Sequence, residues 1–117
     1  MERSILVVDD DHTIVALLVE LLDEEGYRVR YAFDGRAALQ AVAHDLPDLV
    51  LTDVMMPDVG GLSLLRRLRR LGYLMPVVLM SAVYSAVIEP GVPFVRKPFD
   101  LDTLLGVVAH ALDGAGT

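Results

Sequence analysis

An α/β fold built on a doubly wound, all-parallel sheet of five strands is predicted by two patterns in the sequence. Short apolar runs alternate with amphipathic stretches along the 117 residues, the order that right-handed strand-helix-strand crossovers produce. Three of the runs, Ile5–Val8, Leu49–Leu51 and Val77–Met80, are apolar without interruption, as strands are when helices cover both faces. A third observation points to the working end of such a sheet. Asp9 and Asp10 close the first run and Asp53 the second, and Phe94-Val95 leads into Lys97-Pro98; parallel strands gather these residues on one rim, where open α/β sheets bind ligands.

Taken in order, Ile5–Val8 is the first interior strand. Ile14, Leu17, Leu18, Leu21 and Leu22 recur at helical spacing, so residues 12–25 form an amphipathic helix, with Asp11 as N-cap and Gly26 as its end. Tyr27–Tyr31 alternates apolar and basic residues, and Arg28 and Arg30 suit a marginal strand that must resist further pairing. Gly35–His44 is a short Ala-rich helix. After the second interior strand, Leu62–Leu71 forms a longer helix with Leu64, Leu68 and Leu71 inward. The third interior strand, Val77–Met80, leaves only Ala82–Glu89 for a fourth helix before Pro90 and Gly91 break it; that helix is predicted to be very short, irregular or absent. Phe94–Arg96 follows Pro93, which offers no amide to a neighbour and therefore marks the other margin. Leu101, Leu104, Leu105, Val108 and Leu112 describe a closing helix that begins at Asp100. The composition of Asp113–Thr117 is that of a tail, which gives a domain over 1–113 and a flexible tail or linker start over 114–117. Margins at the second and fifth strands fit the order 2-1-3-4-5.

Bulk properties narrow the function. A net charge of −7 repels the phosphate backbone, so direct nucleic-acid binding by this domain is not expected. No apolar stretch approaches the roughly 18 residues of a membrane span, and no secretory pattern follows Met1. The absence of cysteine fits a reducing compartment. The expectation is a cytoplasmic domain that does not engage a membrane.

Two carboxylates about 5 Å apart repel by roughly 3 kcal/mol at an effective dielectric of about 20, so a rim holding Asp9, Asp10 and Asp53 demands positive charge. Lys97 offsets part of it. An all-oxygen, incompletely filled ligand set suits Mg²⁺, with Mn²⁺ as the alternative; no histidine or cysteine cluster suits zinc. A carboxylate beside such an ion and a lysine can attack phosphorus. Asp53 is the candidate nucleophile, followed by the loop Met55-Met56-Pro57-Asp58-Val59-Gly60-Gly61, while Asp9 and Asp10 are the candidate metal anchors. Taken singly, each feature has a plainer reading: an Asp-Asp pair after a strand is often a turn, and Ser81 a strand-end hydroxyl. Phe94 alone reads as core. Arg66, Arg67, Arg69 and Arg70 read as a solvated helix face, and His12, His44 and His110 as surface histidines.

Val8-Asp9-Asp10, Asp53 with Met56-Pro57 and Gly61, Ser81-Ala82 after an apolar strand, and Lys97-Pro98-Phe99, in that order, resemble the receiver domains of two-component response regulators, the CheY-like family, over nearly the whole chain. The resemblance implies a flavodoxin-like (βα)₅ domain phosphorylated on Asp53 by a histidine kinase or histidine phosphotransfer protein. It implies Mg²⁺ held by Asp9, Asp10, Asp53 and the carbonyl of Met55. Ser81 and Lys97 would contact the phosphoryl group, Phe94 would be the switching aromatic, and the Lys97-Pro98 bond would be cis. It further implies a downstream protein or attached output domain as target, and homodimerisation on phosphorylation.

Two departures qualify this. Ser81 and Lys97 stand 16 positions apart, fewer than receivers of this type usually have, so the output surface is expected to be atypical. Met55 and Val83, at the positions that flank the hydrolytic water in the family, are apolar, so loss of phosphate should be slow. The chain is thus expected to be a switch and not a turnover enzyme. Rival readings are a degenerate receiver serving only as an interaction module, a small-substrate phosphatase whose usual aspartate two residues after the nucleophile is missing, and a flavin module whose anionic cofactor the acidic rim would repel.

Overall fold

The computed structural model describes residues 2–82 and 90–115. Among these, five strands and four helices follow one another as β1 (Ser4–Val8), α1 (His12–Glu24), β2 (Arg28–Ala32), α2 (Gly35–His44), β3 (Leu49–Asp53), α3 (Gly61–Arg70), β4 (Val77–Ser81), β5 (Phe94–Arg96) and α4 (Leu101–Ala115). The strands form one sheet in the order β2-β1-β3-β4-β5, every pairing parallel. Strand direction is therefore common to all, and the carboxyl ends of the strands share one rim.

Side-chain alternation divides the core into two layers. Ile5 and Val7 of β1 face Val15, Leu18 and Leu22 of α1 and Leu104, Val108 and Leu112 of α4. Leu6 and Val8 face the other way, onto Ala38 and Val42 of α2 and Leu64, Leu65 and Leu68 of α3. Because both faces are covered, β1, β3 and β4 are buried along their whole length, whereas marginal β2 and β5 are partly exposed. Asp11 caps α1 by accepting from the N–H groups of Thr13 and Ile14, and Gly26, at φ 91, turns the chain after it.

Several details differ from the expectation. Leu17 is 43% exposed and Val15 takes its inward place, because the buried stripe of α1 runs through residues 15, 18 and 22. Leu71 is 65% exposed while Leu65 is buried. The chain leaves the helix there: Gly72 at φ 90 reverses it and Tyr73 donates its N–H back to the Leu68 carbonyl, 2.9 Å, so Tyr73 and Met75 pack where Leu71 was expected. Leu101 is also exposed. The last helix continues through Asp113 and Gly114 to Ala115, where composition suggested tail. The fourth helix considered for Ala82–Glu89 falls on residues 83–89, outside the described residues, and Ala82 itself is a bend.

Candidate functional site

Register brings the charged residues together. Val8 lies opposite Thr52, and Asp53 opposite Met80, so Asp9, one step beyond Val8, is level with Asp53 across adjacent strands. Ser81 pairs with Arg96, and the next residue on β5's path, Lys97, donates its backbone N–H to the Ser81 carbonyl at 2.8 Å. That bond fixes the Lys97 main chain against β4 while its side chain reaches inward. Its Nζ lies 2.7 Å from Asp9 Oδ2 and 3.3 Å from Asp53 Oδ1.

Asp9 is almost fully buried and both its oxygens are engaged. Oδ2 accepts from Lys97, and Oδ1 accepts from the N–H of Asp11 at 3.0 Å; its own N–H donates to the Ala32 carbonyl of β2 at 3.2 Å. Asp10 is exposed and Asp53 buried, yet one oxygen from each of Asp9, Asp10 and Asp53 lies within 4.8 Å of the others. The Lys97 ammonium contacts two of these three carboxylates, Asp9 and Asp53. Burial of Asp53, then the charge of Asp9, holds its carboxyl above the ordinary 3.8, although Lys97 pulls it down. For Lys97 burial acts to lower the pKa, and the hydrogen bond and charge of Asp9, followed by those of Asp53, outweigh it and raise the value above 10.5. The donor set therefore fits a hard cation: closely spaced carboxylate oxygens, in excess of the positive charge that the protein supplies.

Gly61 sits beneath this cluster for a steric reason. A Cβ there would stand 2.4 Å from the Asp53 carbonyl oxygen, so only glycine lets α3 start against the end of β3. Pro57 and Asp58 belong to the preceding loop, and Asp58 takes the left-handed conformation at φ 63, uncommon outside glycine and most accessible to Asn and Asp. Beside the carboxylates, an open cavity of about 600 Å³ is lined by Asp10, Phe33, Arg36, Pro57 and Asp58 among others. Met55 is 63% exposed. Ser81, buried at the end of β4, stands at the same rim. Phe94 does not: it lies at the start of β5, half-buried, packed with the α2–α3 layer. The Lys97-Pro98 peptide is cis. Val83 lies outside the described residues.

Sequence reasoning missed four contributors. Asp11 locks Asp9 through a main-chain N–H that no side-chain pattern reveals. Ala32 offers a carbonyl, equally silent in sequence. Phe33 stacks on His12 with ring centroids 3.8 Å apart, and Arg36 lines the cavity; the Asp34-Gly35 turn before α2, whose Asp34 caps the helix through Ala37 N–H at 2.7 Å, was the available signal for this corner.

Comparison with known proteins agrees with this arrangement. The family model described as the response regulator receiver domain matches residues 5–109. The chain is 40% identical to Response regulator MprA of Mycolicibacterium vanbaalenii, covering 99% of this chain and 55% of that protein. It is 37% identical to the DNA-binding transcriptional regulator NtrC of a Bradyrhizobium, covering 93% of this chain and 24% of the relative. The chain thus spans about half or less of these relatives. Among solved structures, the receiver domain of Francisella response regulator 1452 superposes with a TM-score of 0.89 at 31% identity, covering 96% of this chain and 98% of that one. Chemotaxis protein CheY4 of Vibrio cholerae gives 0.89 at 26%, covering 95% and 99%. Sheet order, rim geometry and these matches converge: the chain belongs to the response regulator receiver domain family, a family of signalling modules and not of turnover enzymes.

Proposed function

We propose that this receiver is a Mg²⁺-dependent phosphoacceptor in which Asp53 takes a phosphoryl group from a histidine kinase or histidine phosphotransfer protein. One observation carries the reading: three carboxylates offering oxygens within 4.8 Å of one another, with a lysine ammonium 3.3 Å from the one that ends the central strand. Bound there by Asp9, Asp10, Asp53 and the Met55 carbonyl, Mg²⁺ would supply positive charge to the oxygens of the transferred group. A carboxylate oxygen of Asp53 attacks phosphorus; the P–O bond forms as the P–N bond to the donor imidazole breaks, and the imidazole keeps the electron pair and takes a proton. Lys97 re-aims from carboxylate to phosphoryl oxygen, and Ser81 Oγ donates to another. Phe94 would respond by moving inward as Ser81 shifts, changing the surface seen by a downstream protein or an attached output domain, with homodimerisation one consequence. The shortened connection from β4 to β5 makes that surface unlike the usual one. The chain acts in the cytoplasm on this reading, and no helix of the described residues is long and apolar enough to cross a membrane.

The test is incubation with acetyl phosphate and Mg²⁺ followed by intact-mass and peptide analysis. The expected result is a gain of one phosphoryl group on Asp53, lost on chelation of the metal and in Asp53→Asn. Label on any other residue, or none, overturns the proposal.

A further inference from the structure

Sulfur in this chain is confined to methionine. The sequence has no cysteine and 5 methionines, and among the described residues one methionine is set apart by exposure. Met80 is fully buried in β4, and Met56 and Met75 pack against the α2–α3 layer. Met55 is 63% exposed, so an oxidant dissolved in water reaches its thioether before those three. Its place decides what oxidation does. The residue before it, Val54, is pinned at both main-chain groups: its N–H donates to the Met80 carbonyl at 2.8 Å, and its carbonyl accepts from the Gly61 N–H at 3.0 Å. Met55 therefore leaves from a fixed point at the end of β3, with its Cα no more than roughly 7 Å from that of Asp53. An unbranched side chain with three rotatable bonds spans most of that distance.

We infer that Met55 is a site of reversible oxidation through which a peroxide shortens the life of the phosphorylated state. This rests on Asp53 being the phosphoacceptor. The thioether sulfur attacks one oxygen of hydrogen peroxide; the S–O bond forms as the O–O bond breaks, and the departing hydroxide takes the proton from the transferred oxygen. Sulfur is oxidised by two electrons to the sulfoxide, and the peroxide is reduced to one water. A flexible apolar side chain thereby becomes a polar one. The native thioether is a weak acceptor and holds no water in place. The sulfoxide oxygen accepts a hydrogen from a water, and that water then has a lone pair to direct at the phosphorus on Asp53. Hydrolysis of the acyl phosphate is the consequence. Because sulfoxide reductases restore the thioether, the change is a switch and not only damage: the phosphorylated state is long-lived under reducing conditions and short-lived under oxidising ones.

Oxidation and phosphoryl loss are read separately. Peptide mapping after mild treatment of the unphosphorylated chain with hydrogen peroxide should place one added oxygen on Met55 before Met56, Met75 or Met80. Oxidised and untreated chains are then phosphorylated with acetyl phosphate and Mg²⁺, the donor is removed, and phosphate release is followed. The oxidised chain should lose its phosphoryl group faster, by roughly tenfold if the sulfoxide orients water as well as an amide does, and methionine sulfoxide reductase with a dithiol should return the slow rate. Met55→Leu keeps the other methionines and cannot be oxidised at this position, so its decay should be the same before and after peroxide. Met55→Gln carries a polar acceptor from the start and should decay fast without peroxide and not respond to it. Sulfoxide forming first at a buried methionine, or a Met55→Leu chain that decays faster after peroxide, overturns the inference. An untreated chain that takes no phosphoryl group on Asp53 removes the phosphoacceptor reading and this inference with it, whereas a chain labelled on Asp53 whose decay is unchanged or slowed by oxidation of Met55 removes this inference alone.

Discussion

At Asp53 the opposing forces of the rim meet in one side chain. Its carboxyl is held above 3.8 mainly by burial and by Asp9, so the folded chain keeps that proton more tightly than the unfolded one. This group's contribution to stability therefore falls as pH rises from 3.8 through the raised value, and the penalty is complete above it. Asp53→Asn should remove both the penalty and its pH dependence. Calorimetry of the metal-free protein at neutral pH should show a rise of roughly 4 °C or more, the effect of about 1 kcal/mol on a domain of about 100 residues; a lower midpoint would mean that the Lys97 contact outweighs the repulsion. Lys97 runs the other way: with its pKa raised above 10.5, its contribution is fully present below 10.5 and is lost as pH climbs through the raised value. Met55, two residues after Asp53, is exposed and has no group to orient a water. Phosphoryl loss from Asp53 should accordingly be faster in Met55→Asn than in the native chain, by roughly tenfold if the amide positions the attacking water, with the decay followed by phosphate release. A slower variant contradicts the assignment.

The elements place these residues through local contacts that substitution can probe. Replacing the Asp11 cap by alanine removes the acceptor for Thr13 and Ile14 N–H and should lower stability by about 1 kcal/mol, read as a lower urea midpoint with unchanged slope. Gly61→Ala should be worse. Its Cβ meets main chain at 2.4 Å and not a movable side chain, so β3 and α3 must separate just where Asp53 is held; a loss of about 2 kcal/mol or more is expected, together with weaker Mg²⁺ binding, and an unchanged midpoint would show that the junction yields freely. Much of this layer was legible beforehand. The uninterrupted runs of β1, β3 and β4 announce strands covered on both sides, and Arg28 and Arg30 announce a margin, because burial on two faces leaves no place for charge. Less was legible where backbone decides. Leu71 has the right spacing for the core, but the left-handed turn at Gly72 sends the chain away after it. The polar and small residues Asp113–Ala115 look like tail, yet the helix runs on to Ala115. At the rim, the residue types Asp9, Asp10, Asp53 and Lys97 were readable from their places after strands; the amide of Asp11 and the carbonyl of Ala32 were not, since main-chain groups carry no sequence signature.

For the whole molecule, the rim couples a small ion to global stability. If Mg²⁺ binds only the folded chain, a concentration about 100 times its dissociation constant adds about 2.7 kcal/mol, and the thermal midpoint should climb with added MgCl₂ but not with equivalent NaCl. Asp10→Asn should blunt that response, because it removes the exposed carboxylate while leaving the Asp9–Lys97 pair intact; an undiminished response would place the ion elsewhere. Lys97 has one more consequence. The outermost strand on its side of the sheet is three residues long, and the lysine directly after it is fastened by its ammonium to carboxylates at the ends of β3 and β1, two and three strands away. That fastening works as a tether: whatever competes for the ammonium at the centre slackens the sheet at its border. The amides of Phe94, Val95 and Arg96 should therefore exchange with deuterium faster once Asp53 is derivatised, so that a chemical event in the middle of the molecule can be timed from its edge.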